Sequence, residues 1–307
     1  MNKKLALVLP GGGACGRWQI GVLKYLYDLG VFPRISLVCG TSVGGLNTLL
    51  VGKYLHDFEK AVDMWTRIKT NKDVFLGMLQ MNTFFDMWGM FWQLKKTNKG
   101  KSLLDPAPLY NLIDLEFKEM MLKDLRVPIM ITTTNMSEGE KKVFSTAEHP
   151  AFKCADLAKA TSAIPLAFPG HEMAIGEMTD LHSDGGIIRN VPVCYAIEAG
   201  ADRIILIGTS PDKYPRKVIK NEALAVALRL PDVIMHANEE ASWDAKEDYE
   251  KLHALAPDKY QKIKFLDIYP ETETGSALDF SNVEQFAAGY EYAKDTLPKE
   301  VLQAFLS

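Results

Sequence analysis

The chain has 307 residues, 47% of them hydrophobic, and its 35 basic and 39 acidic side chains leave a formal net charge of −4 at pH 7. That length and apolar content suit one large α/β domain spanning 1–307, and the charge balance excludes a nucleic-acid reader built on a basic surface. Cys15, Cys39, Cys154 and Cys194 are scattered, and Cys39, Cys154 and Cys194 sit among apolar residues. Reduced thiols in a reducing compartment, the cytoplasm, are therefore expected. The basic start Met1-Asn2-Lys3-Lys4 is followed by an apolar run that ends at Pro10 with no small-residue cleavage site, so no signal peptide is expected.

Leu5 to Leu9 reads as a short buried strand, closed by Pro10-Gly11-Gly12-Gly13-Ala14-Cys15-Gly16. A helix follows with Ile20, Val22, Leu23, Leu26 and Leu29 on one face and Gly30 near its end. A glycine run between strand and helix lets backbone N–H groups approach an anion. Gly11, Gly13 and Gly16 also fit Gly-x-Gly-x-x-Gly, but dinucleotide binding wants an acidic residue closing the second strand. That strand, Ile35 to Cys39, runs instead into Gly40-Thr41-Ser42-Val43-Gly44. The nucleotide reading fails its own test.

Ser42 stands between a strand and the helix-like Leu46 to Val51, the context of a Gly-x-Ser-x-Gly nucleophile elbow. Gly40 and Gly44 allow a turn too tight for side chains, and the helix N-terminus points at the hydroxyl. Glycine loop and elbow leave consecutive strands, which in a parallel sheet places both at the carboxyl edge. Gly11, Gly12, Gly13 and Ala14 can then offer an oxyanion hole beside Ser42.

The segment 61–101 is rich in Met and aromatics, with Phe84, Phe85, Trp88, Phe91 and Trp92 followed by Lys95, Lys96, Lys99 and Lys101. Gln80, Asn82, Thr83, Asp86 and Gly89 interrupt it too often for a membrane span, which needs about 20 mostly apolar residues. Two readings stay open: helices packed on the core, or a helical cap whose aromatics contact lipid and whose lysines meet headgroups.

Asp105 as N-cap and Pro106 in the first turn open a helix carrying Leu109, Leu112, Ile113, Leu115 and Phe117 to Met121. Val127 to Thr134 is a third strand, paired through a turn with Lys142 to Ser145. In the polar stretch 171–183, strand alternation would put His182 on the same side as Asp184, but a loop histidine is the favoured reading, and Asp184-Gly185-Gly186 places the aspartate exposed at a turn tip. Asn190-Val191-Pro192 starts another helix, Arg203 to Gly208 and Lys262 to Tyr269 are further strands, and charged helices fill 214–255 between them. No repeat or linker marks a boundary, so the expected fold is a three-layer α/β sandwich with a central mostly parallel sheet.

Gly11-Gly12-Gly13-x-x-Gly16, Gly40-x-Ser42-x-Gly44 and Asp184-Gly185-Gly186, in that order, resemble the three signature blocks of patatin-like phospholipases. Arg17 to Leu23, Ala160 to Pro169, Asn190 to Val193 and Gly200 to Ile205 resemble the connecting segments, so the likeness runs from about residue 4 to 210; Leu278 to Ser281 resembles a tail feature of bacterial members. The resemblance implies a patatin-like fold and a Ser-Asp dyad, carried over as Ser42 (nucleophile) and Asp184 (general base). It also implies lipid acyl hydrolysis with a phospholipid or other acyl-ester substrate and no metal or cofactor; peripheral membrane contact is what the cap reading of 61–101 would add. Members often carry a basic residue where Cys15 stands, and Arg17 can replace it only if its side chain turns inward. Two rival readings are a Ser-His-Asp hydrolase using His236 or His253 and a silent lipid-binding protein of the same fold.

Overall fold

A computed structural model describes residues 4–77, 102–211 and 223–307. Phe84, Phe85, Trp88, Phe91 and Trp92, on which the lipid-contact expectation falls, lie outside the described residues, as does most of the 61–101 cap. The described beginning of that segment falls in helix α3 (Glu59–Thr66) and a short turn, with Val74 and Phe75 buried in the core.

Strand β1 (Leu5–Leu9) is followed by helix α1 (Gly16–Asp28), β2 (Ile35–Thr41) by α2 (Val43–Lys53). After α3 come α4 (Ala107–Phe117), β3 (Ile129–Asn135), β4 (Glu140–Ser145) and α5 (Cys154–Thr161). β5 (His171–Ile175) and β6 (Met178–Asp184) precede α6 (Val193–Glu198) and β7 (Arg203–Ile207). The chain closes with α7 (Ala223–Leu255), β8 (Lys264–Ile268), α8 (Gln285–Thr296) and α9 (Lys299–Leu306).

The sheet order is β5-β6-β3-β2-β1-β7-β8, with β4 also pairing β3. Its centre, β3-β2-β1-β7-β8, is parallel, while β4, β5 and β6 join antiparallel. β1 is buried on both faces, as parallel strands are. Leu5, Leu7 and Leu9 enter one apolar cluster, with Trp18, Leu23, Leu49 and Phe58. Ala6 and Val8 enter another, with Val191, Val193, Ala196 and Leu206. Period-two alternation on one strand thus feeds two helical layers, giving the three-layer α/β arrangement expected.

Helices α1 and α8 approach closely across paired glycines. A Cβ on Gly21 would lie 2.1 Å from the Phe286 carbonyl oxygen, and one on Gly289 would lie 2.1 Å from that of Trp18. Gly21→Val should therefore force the helices apart and cost about 1–3 kcal/mol or more, the range for overpacking. A denaturant melt should show a lowered midpoint; an unchanged midpoint would mean α8 is not held this way.

Three local expectations are corrected. α4 ends at Phe117, four residues before Met121, because Lys118 turns to φ +46° and breaks the helical repeat; Asp105 does accept from the Ala107 N–H (3.0 Å). The span 171–184 is a β-hairpin whose second strand pairs with β3, so His182 is a fully buried strand residue and not a loop histidine. Between β7 and β8 the described residues form one helix, α7, instead of several.

Candidate active site

The register Leu9↔Gly40 brings the ends of β1 and β2 side by side, so the glycine loop and Ser42 emerge together from the carboxyl edge. A Cβ on Gly44 would lie 1.9 Å from the Leu9 carbonyl oxygen. The elbow thus packs directly against the end of β1, and only glycine fits there. Ser42 itself is held at φ +56°, ψ −132°, a strained conformation for a residue with a Cβ. Its backbone N–H donates to Thr161 Oγ1 (2.9 Å), whose own hydroxyl donates to the Thr132 carbonyl (2.8 Å). The end of α5 therefore clamps the elbow to β3.

Asp184 closes β6, opposite Thr133 of β3, and comes to Ser42 from the far side of β2. The Ser42 hydroxyl donates to Asp184 Oδ2 at 2.6 Å, and the Gly186 N–H donates to Asp184 Oδ1 at 2.7 Å. Both side chains are buried, so the expected exposed turn tip is corrected: pairing of β6 with β3 covers the aspartate. Burial pushes its carboxyl up to about 7, against the opposing pull of the Ser42 and Gly186 hydrogen bonds. A carboxyl that titrates near neutrality can take and return a proton at physiological pH.

The four loop residues divide into two kinds. The Gly11 N–H donates to Asn190 Oδ1 (3.2 Å) and the Ala14 N–H to the Ala277 carbonyl (2.8 Å). The N–H groups of Gly12 and Gly13 have no acceptor among the described residues. Gly13 is in the left-handed region at φ +55°, and a Cβ there would lie 2.1 Å from the Ala277 oxygen. Thr209 Oγ1 donates to the Gly11 carbonyl (2.5 Å), tying the loop to the end of β7. Ala277 thus packs against the end of the glycine loop, and Phe280, three residues on, donates its backbone N–H to Asn71 Oδ1 (2.6 Å).

Arg17 does turn inward, but its Nη2 donates to the carbonyl of Ile68 (2.5 Å) and, more distantly, of Phe280 (3.5 Å). Cys15 is buried, with Sγ 3.7 Å from the Gly275 oxygen.

Among the described residues, no histidine bonds to Ser42 or Asp184. His182 meets Thr133 Oγ1 through Nδ1 (2.9 Å), and burial pushes its pKa down to about 4, so it is neutral at pH 7. His253 Nδ1 faces the Tyr260 carbonyl (2.6 Å). The side chain of His236 is outside the description.

Several supports escaped the sequence reading. Asn190 holds Gly11, Thr161 holds Ser42, and Asn238 of α7 donates to the carbonyls of Gly186 (3.1 Å) and Ile187 (2.8 Å). The buried Gln19–Asn47 pair (2.8 Å) joins α1 to α2, with Asn47 also bonding the Gly16 carbonyl (3.1 Å).

The family described as patatin-like phospholipase matches residues 7–197. A cGAMP-activated phospholipase of Pseudomonas aeruginosa is 28% identical over 203 residues, covering 62% of this chain and 55% of that protein. One of the same description from Vibrio cholerae is 27% identical over 210 residues, covering 62% and 56%. The chain thus spans about half the length of these curated relatives. Among solved structures, VipD from Legionella pneumophila superposes with a TM-score of 0.48 at 16% identity, covering 99% of this chain and 66% of that one. No helix among the described residues is long and apolar enough to cross a membrane.

Proposed function

The chain belongs to the patatin-like phospholipase family, and from that premise we propose that it is a serine lipid acyl hydrolase of phospholipase A or lysophospholipase type, working through Ser42 and Asp184. The observation that carries this reading is the 2.6 Å hydrogen bond from the Ser42 hydroxyl to Asp184 Oδ2 at the end of a strained elbow.

Ser42 Oγ attacks the ester carbonyl while Asp184 accepts its proton. The carbonyl electrons move onto oxygen, where the N–H groups of Gly12 and Gly13 receive the charge. Collapse of the tetrahedral intermediate breaks the ester C–O bond, and Asp184 gives its proton to the leaving alcohol. A water, deprotonated by Asp184, attacks the acyl-enzyme; the fatty acid leaves and Ser42 regains its proton. We read the chain as one hydrolytic domain because every described strand joins one sheet. Its cytoplasmic placement rests on four scattered free thiols. Peripheral contact with lipid rests on the aromatic and lysine run within 84–101.

An alkyl fluorophosphonate should label wild type at Ser42 and leave Ser42→Ala unlabelled, and wild type should release fatty acid from phosphatidylcholine or lysophosphatidylcholine vesicles. Absence of both labelling and release would leave the silent lipid-binding reading.

Gly13→Ala tests the loop. The added Cβ would collide with the Ala277 carbonyl in a backbone region that disfavours side chains, pushing the Gly13 N–H off its aim. One lost oxyanion donor should cost roughly 10²–10³ in kcat with KM little changed. A rise in KM at constant kcat would mean that the loop binds ground-state substrate.

A further inference from the structure

Beside α1, a cavity of about 460 Å³ is lined by Arg17, Val62, Trp65, Lys69, Val283 and Phe286, among others, with neither Ser42, Asp184 nor the glycine loop in its lining. That volume lies in the usual range of small-molecule sites. Its floor is unusual in one respect. Arg17 is only 4% exposed, yet it makes no ion pair among the described residues. A buried cation without a carboxylate is costly and rare.

Only Nη2 of that guanidinium is used, by the carbonyls of Ile68 and Phe280. Nε and Nη1 have no partner among the described residues, and neither is among the sealed, unsatisfied polar atoms. Those donors therefore open onto reachable space, and the cavity is the space that Arg17 lines. The free edge of a guanidinium is a planar fork that matches a carboxylate with two parallel N–H···O bonds. Arg17 lies over the Trp65 ring (5.9 Å), which holds its plane. Around it the walls are aromatic and aliphatic: Trp65, Val62, Phe286 and Val283. The exposed Lys69 adds a second cation at the rim. An anionic head on an alkyl chain satisfies both halves of this lining.

We infer that the cavity between α1, α3 and the start of α8 is a second binding site, for a free fatty acid, with its carboxylate on Arg17 and its chain along Trp65, Val62 and Phe286. This inference rests on the cavity's own geometry and stands whether or not Ser42 performs the hydrolysis proposed above; if it does, the ligand is that reaction's product class.

The test is calorimetric titration of the full chain with sodium decanoate below its micelle-forming concentration. Decanoate should saturate a site, and Arg17→Met should weaken it at least tenfold while leaving any binding of decan-1-ol unchanged. Because Arg17 also holds two carbonyls, Arg17→Met could fail to fold. Val283→Trp then carries the test, since it fills the cavity mouth from a half-exposed position and keeps the guanidinium. It too should weaken decanoate at least tenfold. Decanoate binding that is unchanged in folded Arg17→Met or in Val283→Trp overturns the inference. So does binding that disappears when Ser42 is blocked by a fluorophosphonate, which would put the acid in the catalytic pocket. Binding of decyl phosphate without decanoate overturns it in favour of a phosphate head.

Discussion

Ser42→Ala should lower kcat for phospholipid by roughly 10⁴–10⁶, down to the residue of rate that oxyanion donors and binding sustain alone. The hydroxyl is the attacking atom, and no other described hydroxyl donates to the Asp184 carboxylate, since Thr134 Oγ1 reaches only its backbone carbonyl (2.8 Å). The same position should also reveal stored strain. Ser42 sits at φ +56°, ψ −132° because the elbow is fixed from three sides: Gly44 against Leu9, the backbone N–H on Thr161, and α2 behind it. Alanine inherits that strain, whereas glycine does not. Ser42→Gly should therefore be as inactive as Ser42→Ala but more stable by about 1 kcal/mol, read from paired urea melts. If Ser42→Ala kept more than a tenth of wild-type turnover, another nucleophile would have to be found. If glycine were no more stable than alanine, the elbow's dihedrals would not be a strain reservoir.

The parts of this site that were legible in the sequence are those with local punctuation. Leu5 to Leu9 is apolar throughout and stops at Pro10 and a glycine run, and it forms a strand with those bounds. Ser42 is marked by its two glycines between an apolar run and a helix, and the structure puts a strand before it and a helix after it. Asp184 is different. Asp-Gly-Gly by itself is an ordinary turn, and only its order after the other two motifs singled it out.

What stayed hidden depends on partners far away in the chain. β6 begins with the exposed Met178 and Thr179 and becomes buried only where antiparallel pairing with β3 covers His182, Ser183 and Asp184. No local periodicity announces such a strand, because its burial is imposed by a neighbour almost 50 residues upstream. Thr161, Asn190, Thr209 and Asn238 act through single side-chain oxygens or amides aimed at backbone groups of the elbow, the loop and the turn. Ser, Thr and Asn are everyday surface residues, so their identity carries no signal until the fold aims them. The sequence marks Arg17 as the start of a family-like segment and as a possible stand-in for a basic residue at Cys15; that it is buried without a carboxylate among the described residues is a property of α3 and the 280s packing over it.

Asp184→Asn should cost roughly 10²–10⁴ in kcat, the range for loss of a general base, and at the same time make the protein more stable at neutral pH. The shape survives: Asn Oδ1 can still accept from Gly186, and the amide can donate to the Ser42 hydroxyl, reversing the present bond. What is lost is the proton acceptor. In wild type, with the carboxyl at about 7, kcat/KM should fall tenfold per unit as pH drops below 7 and level off above it; in the variant that limb should vanish. The stability effect follows from the same shift with a definite sign. The unfolded carboxyl titrates near its ordinary value of 3.8, the folded one near 7. Between those values the folded state holds a proton that the unfolded state has released, so stability falls as pH rises from about 4 to 7 and stays lower above. Three pH units correspond to an upper bound of about 4 kcal/mol. The stability gained by Asp184→Asn should therefore be near zero at pH 4 and largest at pH 8, measured by urea melts across that range. A histidine control belongs beside it: His182→Ala, two residues away on the same strand, should cost far less in rate. If the variant kept the acidic limb and most of its rate, or if His182→Ala were equally damaging, the proton would be going somewhere other than Asp184.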